Sequence, residues 1–168
     1  MQRALGKKCV SKYKRLEYFW KSGNSGLLFA TDAHICLAKV DNELAPGYYD
    51  STYHPVKEGD WIACDVDAMF KNTTTGQKRC TIRQIPYYYI VNDEWVFLAK
   101  RVDLLKEWTG CKELYLTDCN CLFGKSADGQ RMGIVAHEDK HVYKVGPSVF
   151  LTEQEARDFA AMIGVNYV

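Results

Sequence analysis

Residues 27–40, Leu-Leu-Phe-Ala-Thr-Asp-Ala-His-Ile-Cys-Leu-Ala-Lys-Val, constrain this 168-residue chain more than any other stretch. The run is apolar enough for a long buried strand, yet Thr31, Asp32 and His34 interrupt its middle. Burying such groups without partners costs about 1–3 kcal/mol each. The three side chains therefore mark a hydrogen-bonded kink, a binding surface, or both. In an extended strand His34 and Cys36 would share one side. A nucleophilic dyad would still need a third, orienting group, and no candidate is identifiable.

The flanking segments read as antiparallel sheet. Residues 16–20 and the start of the apolar run enclose Lys21-Ser22-Gly23-Asn24-Ser25-Gly26, a hairpin signal. Residues 41–59 read as a long irregular connection, 61–66 as a short strand, and 71–76 as a polar loop. Residues 80–91 are strand-like, with Pro86 placing them at an edge or bulge. Residues 95–99 form a strand that enters a helix, because Val102, Leu105 and Trp108 recur at helical spacing before Gly110. Residues 114–117 and 119–123 follow as strands, and Asp128-Gly129 turns the chain into 131–136. Thr152 and Glu155 form a capping box ahead of Ala156, Phe159, Ala160 and Ile163, and Gly164 ends that helix. The expectation is one α+β domain over 1–168, mainly antiparallel sheet with two short helices.

Several function classes drop out. No apolar run reaches the roughly 18 residues that suggest a membrane span. The start of the chain lacks the apolar stretch of a secretion signal. The seven cysteines are odd in number and scattered, which fits reduced thiols in a cytoplasmic protein. Cys119 and Cys121 would share a strand face, but two thiols alone do not make a metal site. Asp65 and Asp67 would likewise share a strand face, most simply as solvated carboxylates.

His137-Glu138-Asp139-Lys140-His141 matches the zinc-hydrolase pattern, whose histidines converge only on a helix. Here the flanks, Gly-Ile-Val-Ala and Val-Tyr-Lys-Val-Gly-Pro, favour strands joined by a polar turn. Phosphate-binding glycine loops and Gly-x-Ser-x-Gly are absent from the sequence. The expectation is a non-enzymatic protein with no metal and no cofactor.

Charge is uneven. Residues 1–21 carry seven cations against Glu17, and 41–68 carry seven carboxylates against Lys57. Tyr13, Tyr18, Phe19 and Trp20 interleave the basic stretch, a pattern that suits phosphate contact with base stacking. Aromatic side chains facing a core account for the same letters. Lys7, Lys8, Lys12, Lys14 and Arg15 are the candidate DNA contacts.

Ala30-Thr31-Asp32-Ala33-His34 resembles the Ala-Thr-Asp-Gly-His stretch of bacterial DNA polymerase β sliding clamps, and Leu37-Ala38 matches the Leu-Ala that follows there. The resemblance covers about residues 10–40 and 95–136, where a hairpin, a strand-to-helix unit and a meander come in the family's order. It departs at Ala33, where the family has glycine, and at Ile35, where it has arginine. The resemblance implies a DNA-clamp-like fold in which Thr31, Ala33, His34, Ile35 and Cys36 help line a pocket for replication-protein peptides. Asp32 would hold the local geometry. A clamp ring needs six such domains and this chain supplies one at most, which leaves a homo-oligomer open. Fold likeness does not by itself carry the activity.

Overall fold

The apolar run at 27–40 folds as two strands rather than one in a computed structural model that describes residues 19–50, 52–56 and 66–168. β2 (Leu27–Thr31) and β3 (Ile35–Val40) pair antiparallel, from Leu27 opposite Val40 to Thr31 opposite Cys36. The single long strand expected from sequence is therefore a hairpin, with the polar residues at its turn. The periodicity misleads for a physical reason. Leu28, Ala30, Ile35 and Leu37 enter one core cluster, while Phe29, Cys36 and Ala38 enter another on the opposite face. A sheet buried on both faces loses the alternation that marks strand boundaries.

β1 (Phe19–Lys21) pairs with β2 across the predicted turn, and β4 (Gly47–Tyr49) pairs with β1 on its other side. The expected irregular connection thus contains an edge strand. Beyond β3 lie β11 (Arg131–Val135), β10 (Leu122–Lys125), β9 (Tyr115–Leu116) and β5 (Lys78–Arg79), all antiparallel neighbours. The eight-stranded order is β4-β1-β2-β3-β11-β10-β9-β5. Two meanders, β1–β2–β3 and β9–β10–β11, meet edge to edge at the β3–β11 seam. Each runs outward from that seam in reverse chain order.

One face of this sheet is closed by α2 (Ala99–Thr109) and by a second sheet of β6 (Ile82–Ile85), β7 (Tyr88–Val91) and β8 (Trp95–Leu98). Val102, Leu105 and Trp108 are buried at the predicted spacing, and Gly110 stops the helix in the left-handed region at φ 64°. Trp108 Nε1 donates to the Ala38 carbonyl at 3.2 Å. Close approach requires Gly133, because a Cβ there would lie 2.8 Å from the Cys36 carbonyl oxygen. The expected strand over 80–91 is a hairpin: β6 and β7 pair across a two-residue loop, Pro86-Tyr87. Proline suits that loop because its φ is already fixed.

The opposite face is covered by α1 (Val66–Thr73), a helix that sequence reading missed. Val66 begins this helix rather than ending a strand, Asp67 is helical, and residues 71–73 continue it. Residue 65, paired with Asp67 in the sequence reading, lies outside the described residues. Phe70 meets Phe29 edge-on at 5.3 Å. Asp67 accepts from Ser22 Oγ and from Ser25 Oγ, the latter at 2.7 Å, which fastens α1 to the β1–β2 turn. Thr73 Oγ1 and Thr74 Oγ1 donate to the Met69 and Phe70 carbonyls, and Thr75 Oγ1 donates to the Asn72 carbonyl at 3.1 Å, one of the helix's last acceptors.

The remaining layer is β12 (Tyr143–Val145), β13 (Ser148–Phe150) and α3 (Glu153–Ile163). Its N-cap is the predicted one: Thr152 Oγ1 accepts from the Glu155 amide at 3.2 Å, and Gly164 closes the other end at φ 75°. Mainly antiparallel sheets with three short helices make an α+β fold. Among the described residues no helix is long and apolar enough to cross a membrane.

Candidate functional site

The β2–β3 turn is built from its own side chains. Thr31 Oγ1 donates to the Ile35 carbonyl at 2.8 Å and accepts from the Ala33 amide at 3.2 Å. Asp32 Oδ1 accepts from the amides of His34 and Ile35 at 2.9 and 2.8 Å. The aspartate thus holds the local geometry, in a turn instead of a strand. Ala33 occupies the left-handed region at φ 71°, where a Cβ costs about 1–2 kcal/mol. A final tie, the Ala136 amide to the His34 carbonyl at 2.8 Å, seats the turn against the end of β11.

Beside this turn is a mostly apolar pocket of about 330 Å³. Thr31, Ala33, His34, Ile35 and Cys36 all line it, so the five residues singled out in sequence do converge on one concavity. Their roles differ. Ala33 and His34 are exposed at the mouth, Cys36 is buried on the pocket face, and Ile35 packs with the opposite-face core. His34 and Cys36 are therefore not companions on one extended strand. Met69 and Thr73 supply the facing wall, and Cys121, Ile134 and Ala136 complete it. Sequence reading missed these five. Met69 and Thr73 stand one helical turn apart, a usable signal only once α1 is known to be a helix.

Cys119 and Cys121 do not share a strand face. Residues 118–120 form a turn, with Asn120 at φ 58°, and β10 begins only at Leu122. Cys119 is exposed and its thiol donates to the Asn72 carbonyl at 3.5 Å, docking this turn on the end of α1. Cys121 is buried; burial, and then the neighbouring Cys119, push its thiol above the ordinary range. Such a thiol stays neutral and packs as a small hydrophobe. Cys80, Cys111, Cys119 and Cys121 are free thiols.

The His137–His141 stretch forms no helix. His137 meets Trp95 edge-on at 4.8 Å, Glu138 pairs with Arg101 at 2.6 Å, and His141 meets Tyr143 at 4.6 Å. The one-turn convergence that the zinc pattern requires is missing here. Among the described residues no group of histidine, cysteine and acidic side chains is placed to hold a metal.

The candidate DNA contacts Lys7, Lys8, Lys12, Lys14 and Arg15 lie outside the described residues, as do Tyr13 and Tyr18. The end of that basic stretch is described, and it faces inward. Phe19 is buried in the core, and Trp20 stacks on Phe29 with ring centres 5.7 Å apart. Lys21 is buried too, donating to the Asp41 carbonyl at 2.5 Å with the Asp41 carboxylate 3.8 Å away. Burial pushes the Asp41 carboxyl upward, but the Leu44 and Glu43 amides, with Lys39 and Lys21, outweigh it and hold it below the usual carboxylate value.

No family model, curated protein or solved structure matches this chain. The pocket's own geometry and chemistry carry the functional reading.

Proposed function

We propose that the chain is a non-catalytic, clamp-like binding module whose pocket at the β2–β3 turn receives a short apolar segment of a partner, in the resemblance's terms a replication-protein peptide. The observation that carries this reading is the convergence of Thr31 through Cys36, except Asp32, on one apolar concavity of side-chain size. Peptide capture needs such a concavity with a few oriented polar groups, and Thr31, His34 and Thr73 supply them.

Two further observations support it. A β1–β2 hairpin leads into the motif turn, β8 runs into α2 and the β9–β10–β11 meander follows, an order in keeping with the clamp-like reading. Ala33, standing where the family has glycine, adopts the backbone conformation that glycine adopts without strain. Ile35 stands where the family has arginine and is buried with the opposite-face core, so this position offers the pocket no cation.

Fluorescence polarisation against a panel of labelled short apolar peptides tests the reading. Binding that is lost in Ala136→Leu and weakened in His34→Ala, with unchanged melting temperature, is the expected result. Peptides that bind both variants as tightly as the parent would sink it. The DNA half rests on the charge of residues 1–21 alone, and retention on DNA across a salt series decides it. Phosphate contacts weaken steeply as salt rises, and undetectable retention at low salt removes DNA from the proposal.

A further inference from the structure

A second concavity lies away from the first and shares no residue with it. It is a groove of about 730 Å³ between the β6–β7 turn, β13 and α3. Tyr88, Phe159 and Met162 give it apolar walls. Its charges are segregated. Lys140 lies over the Tyr88 ring, 5.4 Å from the centroid, on one side. Glu155 and Asp158, three apart on α3, stand on the other. Asp158 accepts from Gln154 Nε2 at 2.8 Å, and among the described residues no ion pair engages either acid, whereas their neighbour Arg157 closes on Glu153 at 2.5 Å.

At the lip stands Tyr87, between the lining residues Pro86 and Tyr88, with 82% of its surface exposed. Its φ is 69°, a left-handed value that costs a bulky side chain strain and glycine none. Its carbonyl accepts from the Ala99 amide at 3.0 Å, which helps fix the turn, but the ring gains no burial in return. Met162 on the facing helix is 74% exposed. Strain held at a position that displays an aromatic ring is a recurrent mark of a contact surface.

We infer that this face joins two copies of the chain as a two-fold dimer, each Tyr87 entering the other copy's groove. Knob and groove sit side by side, so a two-fold axis between them satisfies both at once. The charges choose the same partner. In such a dimer Lys140, on one side of the groove, and Glu155 with Asp158, on the other, supply opposite charges for pairing between copies. A surface of one sign would call for a foreign partner; this surface carries both and matches itself. β6 is an edge strand of its sheet, and Ile85 at its end lines the groove.

Sedimentation of the full chain over a concentration series tests this. The expected result is a monomer–dimer equilibrium that Tyr87→Gly and Met162→Lys each weaken at least about ten-fold. Tyr87→Gly should meanwhile keep or raise the melting temperature, because glycine relieves the backbone. Lys140→Glu should weaken the dimer, and adding Glu155→Lys with Asp158→Lys should restore it. A chain that stays monomeric up to roughly millimolar concentration overturns the inference. So does a dimer indifferent to Tyr87→Gly and Met162→Lys, or assembly into a larger ring.

Discussion

The face of the central sheet under α2 and the face under α1 both carry apolar residues, and the pocket at the β2–β3 turn lies on the second. Under α2 the contact is tight: Gly133 lets the helix down onto β11, and Trp108 bonds directly to the β3 backbone. Under α1 the cover is a shorter helix that buries Val66 and Phe70 and then ends at Thr73, beside the β2–β3 turn. The difference teaches that the pocket is made by where a helix stops, rather than by a distinctive wall. The strands beneath are apolar on both sides.

Substitution can break this contrast. Gly133→Ala should destabilise by about 3 kcal/mol in urea unfolding, since the added carbon meets a backbone oxygen that cannot yield. Ala136→Leu adds more volume on the open face, yet should change stability by less than about 1 kcal/mol. Equal losses in the two would show that both faces are closed alike.

Asp32→Ala removes the acceptor of two turn amides, and a loss of about 2 kcal/mol is expected, with Asp32→Asn recovering part of it. Normal stability in Asp32→Ala would mean the turn does not depend on that carboxylate.

Acid sharpens the contrast from outside both faces, at the buried Lys21–Asp41 contact. The Asp41 carboxyl is held below its ordinary 3.8, so its contribution is complete above that value. It is lost as pH falls through the lower folded value, because protons then bind the unfolded chain first. The acid limb of a stability–pH curve should therefore flatten in Asp41→Asn, and an unchanged limb would discount the pair.

The smallest effect has the opposite sign. Ala33→Gly relieves about 1–2 kcal/mol of left-handed strain against an entropy cost of about 0.5–1 kcal/mol. A net gain of at most about 1 kcal/mol should appear as a raised denaturation midpoint.

Much of this was readable in the sequence where local rules act alone. The Thr152 cap, the Gly110 and Gly164 stops and the Asp128-Gly129 turn need only neighbours within a few residues. The 27–40 run was misread because both its faces are buried and its turn lacks glycine. The overlooked signal was Thr-Asp at the turn's start, whose side chains cap the amides that follow. α1 escaped because its buried face is only two residues wide, and the threonines at its end look like loop until their hydroxyls are seen on helix carbonyls.

The chain's letters alone determined the α+β class, the end signals of two helices, and which five residues near position 34 deserved notice. Tertiary structure decided that those residues flank a hollow, because Met69 on α1, Cys121 before β10 and Ala136 beyond β11 reach it from separate parts of the chain. Local sequence encodes backbone preference within a turn or two. A concavity depends on where distant elements end against one another, and only the packed whole fixes that.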